Sequence, residues 1–200
     1  MNGLPVLLAL TAANVVGGSV EVNADNDSRV LEEYIHCIGR KSLQVAEVSR
    51  RPEYPKFRPV RVAESLRMVS VASGYSANYA APDGHPVLNA KFEMSKISSA
   101  AADREVVRAQ MRSMSDKRPA GAPPLRESSL DGIDILALYR AGGGHEIIAL
   151  YSIFVPAKSV IATVYMLGPN GQLKGHDTAI AAEAYREKIM DEVISCMKSF

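Results

Sequence analysis

The sequence predicts an α+β domain, an antiparallel sheet covered by two main helices. Three observations predict it. Residues 87–97 (VLNAKFEMSKI) alternate apolar and polar side chains, as a half-buried strand does. Residues 132–167 hold three apolar runs rich in β-branched and aromatic residues, separated by glycine or proline turns. Amphipathic helical spacing follows each strand-rich stretch, first at 98–115 and again after Asp177.

The first 24 residues read as an address. Residues 5–13 (PVLLALTAA) form a short apolar run, Gly17-Gly18 follows, and Val22-Asn23-Ala24 offers a small-residue cleavage site. The run is far shorter than the ~20 apolar residues of a membrane span. We therefore expect residues 1–24 to be a signal peptide and 25–200 to form one exported, periplasmic domain without stable membrane insertion. No Lys or Arg precedes the apolar run, which departs from the usual positive n-region, and a buried strand or helix is the other reading of the segment.

Residues 25–29 (DNDSR) predict a flexible N-terminus. Ser28 then caps a short helix with Leu31, Tyr34, Ile35 and Ile38 on one face, and Gly39 ends it. Residues 42–48 read as extended. Residues 50–59 (RRPEYPKFRP) carry three prolines and four basic residues, so they form a loop or an edge, solvated or serving a partner. Residues 66–73 read as a strand with Leu66 and Met68 on one face, continued after Gly74 by 75–80. Asp83-Gly84 marks a tight turn between prolines.

After the strand at 87–97, Ser98 or Ser99 caps a helix to about Ser115. Val107, Met111 and Met114 form its apolar stripe, and Arg104, Glu105, Arg108 and Arg112 are expected in water. Residues 117–124 (KRPAGAPP) break the chain. Residues 132–140 and 145–155 read as a hairpin through Ala141-Gly142-Gly143-Gly144, and Pro156-Ala157 leads into a third strand at 159–167. The final helix sets Ile189, Val193, Cys196 and Met197 on one face.

Composition narrows the functional classes. The chain has 23 basic and 22 acidic residues, and the leader removes only Glu21. Such a balance argues against nucleic acid as a partner, because phosphate binding needs a basic surplus on one face. Cys37 and Cys196 are the only cysteines. In an oxidising compartment they would pair, closing a loop of about 160 residues that the chain-entropy model credits with ~5 kcal/mol. Otherwise both are small buried hydrophobes.

No catalytic, cofactor or metal constellation is legible, and we expect no enzyme and no cofactor. Gly74-Tyr75-Ser76-Ala77 lacks the second glycine and following helix of a nucleophile elbow, and reads as a strand bent or bulged at Gly74. His36, His85, His145 and His176 have no partners at metal-ligand spacing. Gly142 to Gly144 join two strands and lack the Lys-Ser/Thr of a phosphate loop. Asp131 and Asp134 point to opposite faces of a strand, which excludes shared acid–base work. Asp25 and Asp27 lack the glycine and distant Glu of a calcium loop. A pocket lined by Tyr75, Tyr79, Phe92 or Tyr151 would favour a small-ligand or accessory role.

The strand into helix at 87–114, the strands at 132–140, 145–155 and 159–167, and the helix closing on Ile194-Ser195-Cys196-Met197-Lys198-Ser199-Phe200 resemble the PsbP/Mog-like superfamily of α/β/α sandwich domains. That resemblance implies a largely non-enzymatic protein that binds other proteins or assists assembly. Cys37-Ile38-Gly39-Arg40, followed by the extended 42–48, resembles the segment opening immunity proteins against type VI secretion lipase effectors. It implies a periplasmic protein that neutralises a toxin by binding it. This sequence departs from that family at Ala46–Glu47, where its proline is missing, and is short for its two-domain form.

Overall fold

The computed structural model describes residues 24–50, 57–139, 147–168 and 178–200. The chain runs α1 (Ala24–Ile38), β1 (Gln44–Arg50), β2 (Phe57–Val62), β3 (Ser65–Ser70), β4 (Ser73–Ala80), β5 (Pro86–Met94) and α2 (Ala100–Asp116). It continues through β6 (Arg126–Leu130), β7 (Ile133–Tyr139), β8 (Ile147–Val155), a 3-10 turn (Pro156–Lys158), β9 (Val160–Leu167) and α3 (Ala179–Ser199). Most of the leader and the glycine run 142–144 lie outside the described residues, as do His145 and His176.

Among the described residues, seven strands form one antiparallel sheet in the order β1-β4-β5-β9-β8-β7-β6, and β2 pairs with β3 in a separate ribbon. The alternation in β5 assigns its two faces. Leu88, Ala90 and Phe92 point with Tyr75, Ala77, Tyr79, Tyr151, Ala162 and Val164 into a core shared with α1 and α3. On the other face Leu136, Phe154 and Ile161 pack against Val107 and Met111 of α2 and Val60 and Val69 of the ribbon. The fold is therefore α+β, with three helices: two on one face, and α2 with the ribbon on the other.

The first face is held shut covalently. Cys37 of α1 and Cys196 of α3 form a disulfide across 159 residues of sequence, with Cα atoms 5.7 Å apart. Glu192 of α3 adds a second tie, accepting from Ser42 N–H (3.0 Å) and Ser42 Oγ (2.5 Å) just beyond α1. The segment Cys37-Ile38-Gly39-Arg40 is structural throughout. Ile38 is buried, a Cβ on Gly39 would collide with the Val45 side chain, and Arg40 Nε donates to the His36 carbonyl at the helix end (3.1 Å).

Buried tyrosines complete this core. Desolvation, with Glu33 nearby, pushes the Tyr34 hydroxyl up to about 12. Burial likewise raises Tyr79 and Tyr151, so these rings stay neutral in ordinary buffers. Tyr79 reaches the Ile35 carbonyl at 3.4 Å, and Tyr75 donates to Glu32 at 2.5 Å.

The second face is held by charge and hydroxyl groups. Asp103, buried in the first turn of α2, accepts from Ser70 N–H (3.1 Å), Ser70 Oγ (2.6 Å) and Ser99 Oγ (2.9 Å). Ser99 stands at the N-cap as expected, but its side chain serves this network and caps no helix amide. Arg108 is not in open water. It pairs with Asp134 of β7 at 2.5 Å and lies over the Phe154 ring at 5.1 Å, because α2 packs low on the sheet there.

Other expectations are corrected by the structure. Residues 25–29 are helical, because α1 already starts at Ala24. Gly74 is neither bent nor bulged: β4 keeps register with β5 from Ser73 through Tyr79, and the shift comes between Tyr79 and Ala80. Met114 lies at the exposed end of its stripe. An unexpected strand, β6, precedes β7. Its five residues are all exposed, so burial leaves no periodic imprint on them. Asp131 and Gly132 turn it into β7, both at positive φ (50° and 79°), the Asp-Gly chemistry of a tight hairpin.

Two outcomes follow. Thiol titration of the denatured, unreduced protein should find no free thiol, and reduction should lower unfolding stability by about 2–5 kcal/mol in urea titrations. Gly39→Ala should cost about 1–3 kcal/mol by overpacking against Val45, read in the same titration with the disulfide intact.

Candidate functional site

The residues weighed as catalytic do not converge. Ser76 sits within β4 opposite Lys91, and among the described residues no hydrogen bond joins it to a histidine. His36 is exposed on α1, while His85 follows the Asp83-Gly84 turn, where its N–H donates to Asp83 Oδ1 (3.0 Å). Among the described residues no group of three His, Cys, Asp or Glu could hold a metal ion. Asp131 and Asp134 part as the strand period requires. Asp131 pairs with Lys198 of α3 at 2.8 Å, and Asp134 with Arg108 of α2 on the other side.

Tyr75, Tyr79, Phe92 and Tyr151 fill the core between the sheet and helices α1 and α3. Each is almost fully buried there, as packing residues are. Among the described residues no helix is long and apolar enough to cross a membrane.

Two features of the opposite face stand out. The first is a cleft of about 240 Å³ bounded by α2, β2 and the sheet. Its floor is a row of side chains at successive strand pairings: Ser76 of β4, Lys91 of β5, Thr163 of β9 and Ser152 of β8. Glu93, only 3% exposed, lies at one end and accepts from Arg58 Nε (2.9 Å) and a second Arg58 guanidinium nitrogen (2.7 Å). Lys91 Nζ sits 5.5 Å from the Tyr165 ring centroid. Burial raises the Tyr165 hydroxyl, with Arg58 opposing, so it remains a neutral donor.

The second feature is the outer face of the β2–β3 ribbon. Pairing sets Pro59 against Met68 and Arg61 against Leu66, with Phe57 next along the same face. Phe57, Leu66 and Met68 are 50%, 65% and 55% exposed, whereas Val60 and Val69 on the inner face are buried. Leu66 and Met68 thus share a face, and that face is the outward one. Cations flank it: Lys96 lies over the Phe57 ring (5.5 Å), and Arg61 on the same face has no carboxylate within ion-pair distance among the described residues.

The ribbon is pinned while Phe57, Leu66 and Met68 on its outer face are exposed. Ser70 binds Asp103, Arg58 binds Glu93, Lys117 binds Glu64 (2.9 Å), and Ala63 N–H donates to Ser113 Oγ (2.9 Å). Sequence reasoning placed residues 50–59 in a loop or edge and so missed that β2 begins at Phe57. The signal lay in FRPVRV itself, which sets Val60 and Val62 against Phe57, Pro59 and Arg61 in strict alternation. No family model matches the chain, and no curated protein or solved structure is significantly similar to it.

Proposed function

We propose that this is an exported, non-enzymatic binding domain that docks on an acidic protein surface through the outer face of the β2–β3 ribbon. The observation that carries this reading is an apolar face, Phe57, Pro59, Leu66 and Met68, tied down at four points and flanked by Arg61 and Lys96. Exposed apolar side chains grouped on a pinned element mark interaction sites, and a preorganised surface loses little entropy on binding. Unpaired cations around an apolar centre favour a partner of opposite charge and speed its encounter. The disulfide supports export, since such bonds persist in oxidising compartments.

The resemblances supply the finer reading. On the PsbP/Mog-like resemblance the domain acts by binding and assembly. On the resemblance of Cys37-Ile38-Gly39-Arg40 to immunity proteins, the acidic partner is a type VI secretion lipase effector, neutralised in the periplasm.

The double variant Leu66→Asp/Met68→Asp tests both levels. Each apolar side chain buried at an interface contributes about 1.5–3 kcal/mol, so binding to the purified effector should fall at least ~100-fold with melting temperature and disulfide unchanged. Cells expressing a neighbouring lipase toxin gene should survive with the exported wild type and die with the variant. Equal protection by both, or by neither, would overturn the immunity reading. Binding to anionic vesicles in place of any acidic protein would overturn the docking reading.

A further inference from the structure

The cleft beneath α2 carries an inference independent of the ribbon's outer face. Glu93 is already engaged by Arg58, whereas no carboxylate lies within ion-pair distance of Lys91 among the described residues. Lys91 is therefore the cation of the cleft floor that is left to meet an anion. Around it the hydroxyls of Ser76, Thr163 and Tyr165 make no hydrogen bond to another described residue. Hydroxyl and ammonium donors converging on one space suit an oxygen anion. The α2 wall facing this floor brings Met111 and Met114 beside Gln110, and Leu150 of β8 adds an apolar side chain on the floor two residues from Ser152.

We propose that this cleft binds a small monocarboxylate carrying a short apolar tail, its carboxylate on Lys91 and the hydroxyl row, its tail against Met111, Met114 and Leu150. Charge selects a monoanion. A dianionic phosphate would leave an unbalanced negative charge beside the buried Glu93 carboxylate. Size selects a compact molecule, since about 240 Å³ falls below the ~300–1,000 Å³ usual for ligand pockets. Met side chains adapt their rotamers to an apolar group of irregular shape.

The test is titration of the oxidised full chain with sodium hexanoate, followed by backbone amide shifts of residues 76, 91, 163 and 165 at constant ionic strength. Saturable shifts are expected, at least tenfold weaker for acetate, which lacks the tail, and for hexanol, which lacks the charge. Lys91→Met should weaken hexanoate at least tenfold with an unchanged melting temperature, while Lys91→Arg should stay within about tenfold of wild type. Met114→Glu should also weaken it, separating the tail contact from the charge. Shifts reproduced by sodium chloride, hexanoate binding unaffected in Lys91→Met, or tighter binding of inorganic phosphate would each overturn the proposal. Loss of hexanoate binding leaves the docking face untouched, because neither Lys91 nor Met114 lies on it.

Discussion

A carboxylate at the centre of a sheet has to be answered, and Glu93 on β5 is one. Taking an ionised carboxylate out of water costs several kcal/mol unless an opposite charge meets it with good geometry. Arg58 meets it with two nitrogens on one oxygen, and Arg58 belongs to the ribbon, not to the sheet. The electrostatics of one residue thus dictates where a whole hairpin lies. With the ribbon fixed there, Val60 and Val69 close the lower core, Arg58 walls the cleft, and Phe57, Leu66 and Met68 are left facing outward.

The two faces of the sheet are stabilised by different chemistry. The α1–α3 face is almost wholly apolar and tyrosine-rich, and its only long-range covalent link joins its two helices. The α2 face mixes a small apolar cluster with Asp103, Arg108, Asp134 and Glu93, all paired. Paired charges in a partly buried site confer directionality that an apolar contact lacks. A binding surface needs that fixed orientation, which fits the placement of both candidate sites on this face.

Much of the fold was legible because burial writes periodicity into sequence. Phe92 and Leu88 against Lys91 and Asn89 announced β5, and Ile189, Val193 and Cys196 announced the inner stripe of α3. The pairing of Cys37 with Cys196 followed from having only two cysteines and the expectation of an oxidising compartment. What stayed hidden was exposed or set by tertiary charge. β6 is solvated throughout, so nothing in RESSL alternates. Arg108 looked like a water-facing residue because helical periodicity says nothing of Asp134 on another strand. The candidate sites were less legible still. The hydroxyl row is assembled from four strands, and no local pattern reveals that Ser76, Lys91, Thr163 and Ser152 are neighbours. The ribbon's outer face was hidden by prolines that argued for a loop.

Every described strand lies between the two bonded cysteines, so the disulfide encloses the entire sheet within one covalent ring. A protease that cuts any loop inside that ring opens it without releasing a fragment. For a cut between β8 and β9 the two pieces are also interleaved, since β9 inserts between β5 and β8. A single backbone cut therefore converts one chain into two that still travel, and still present their surfaces, as one particle.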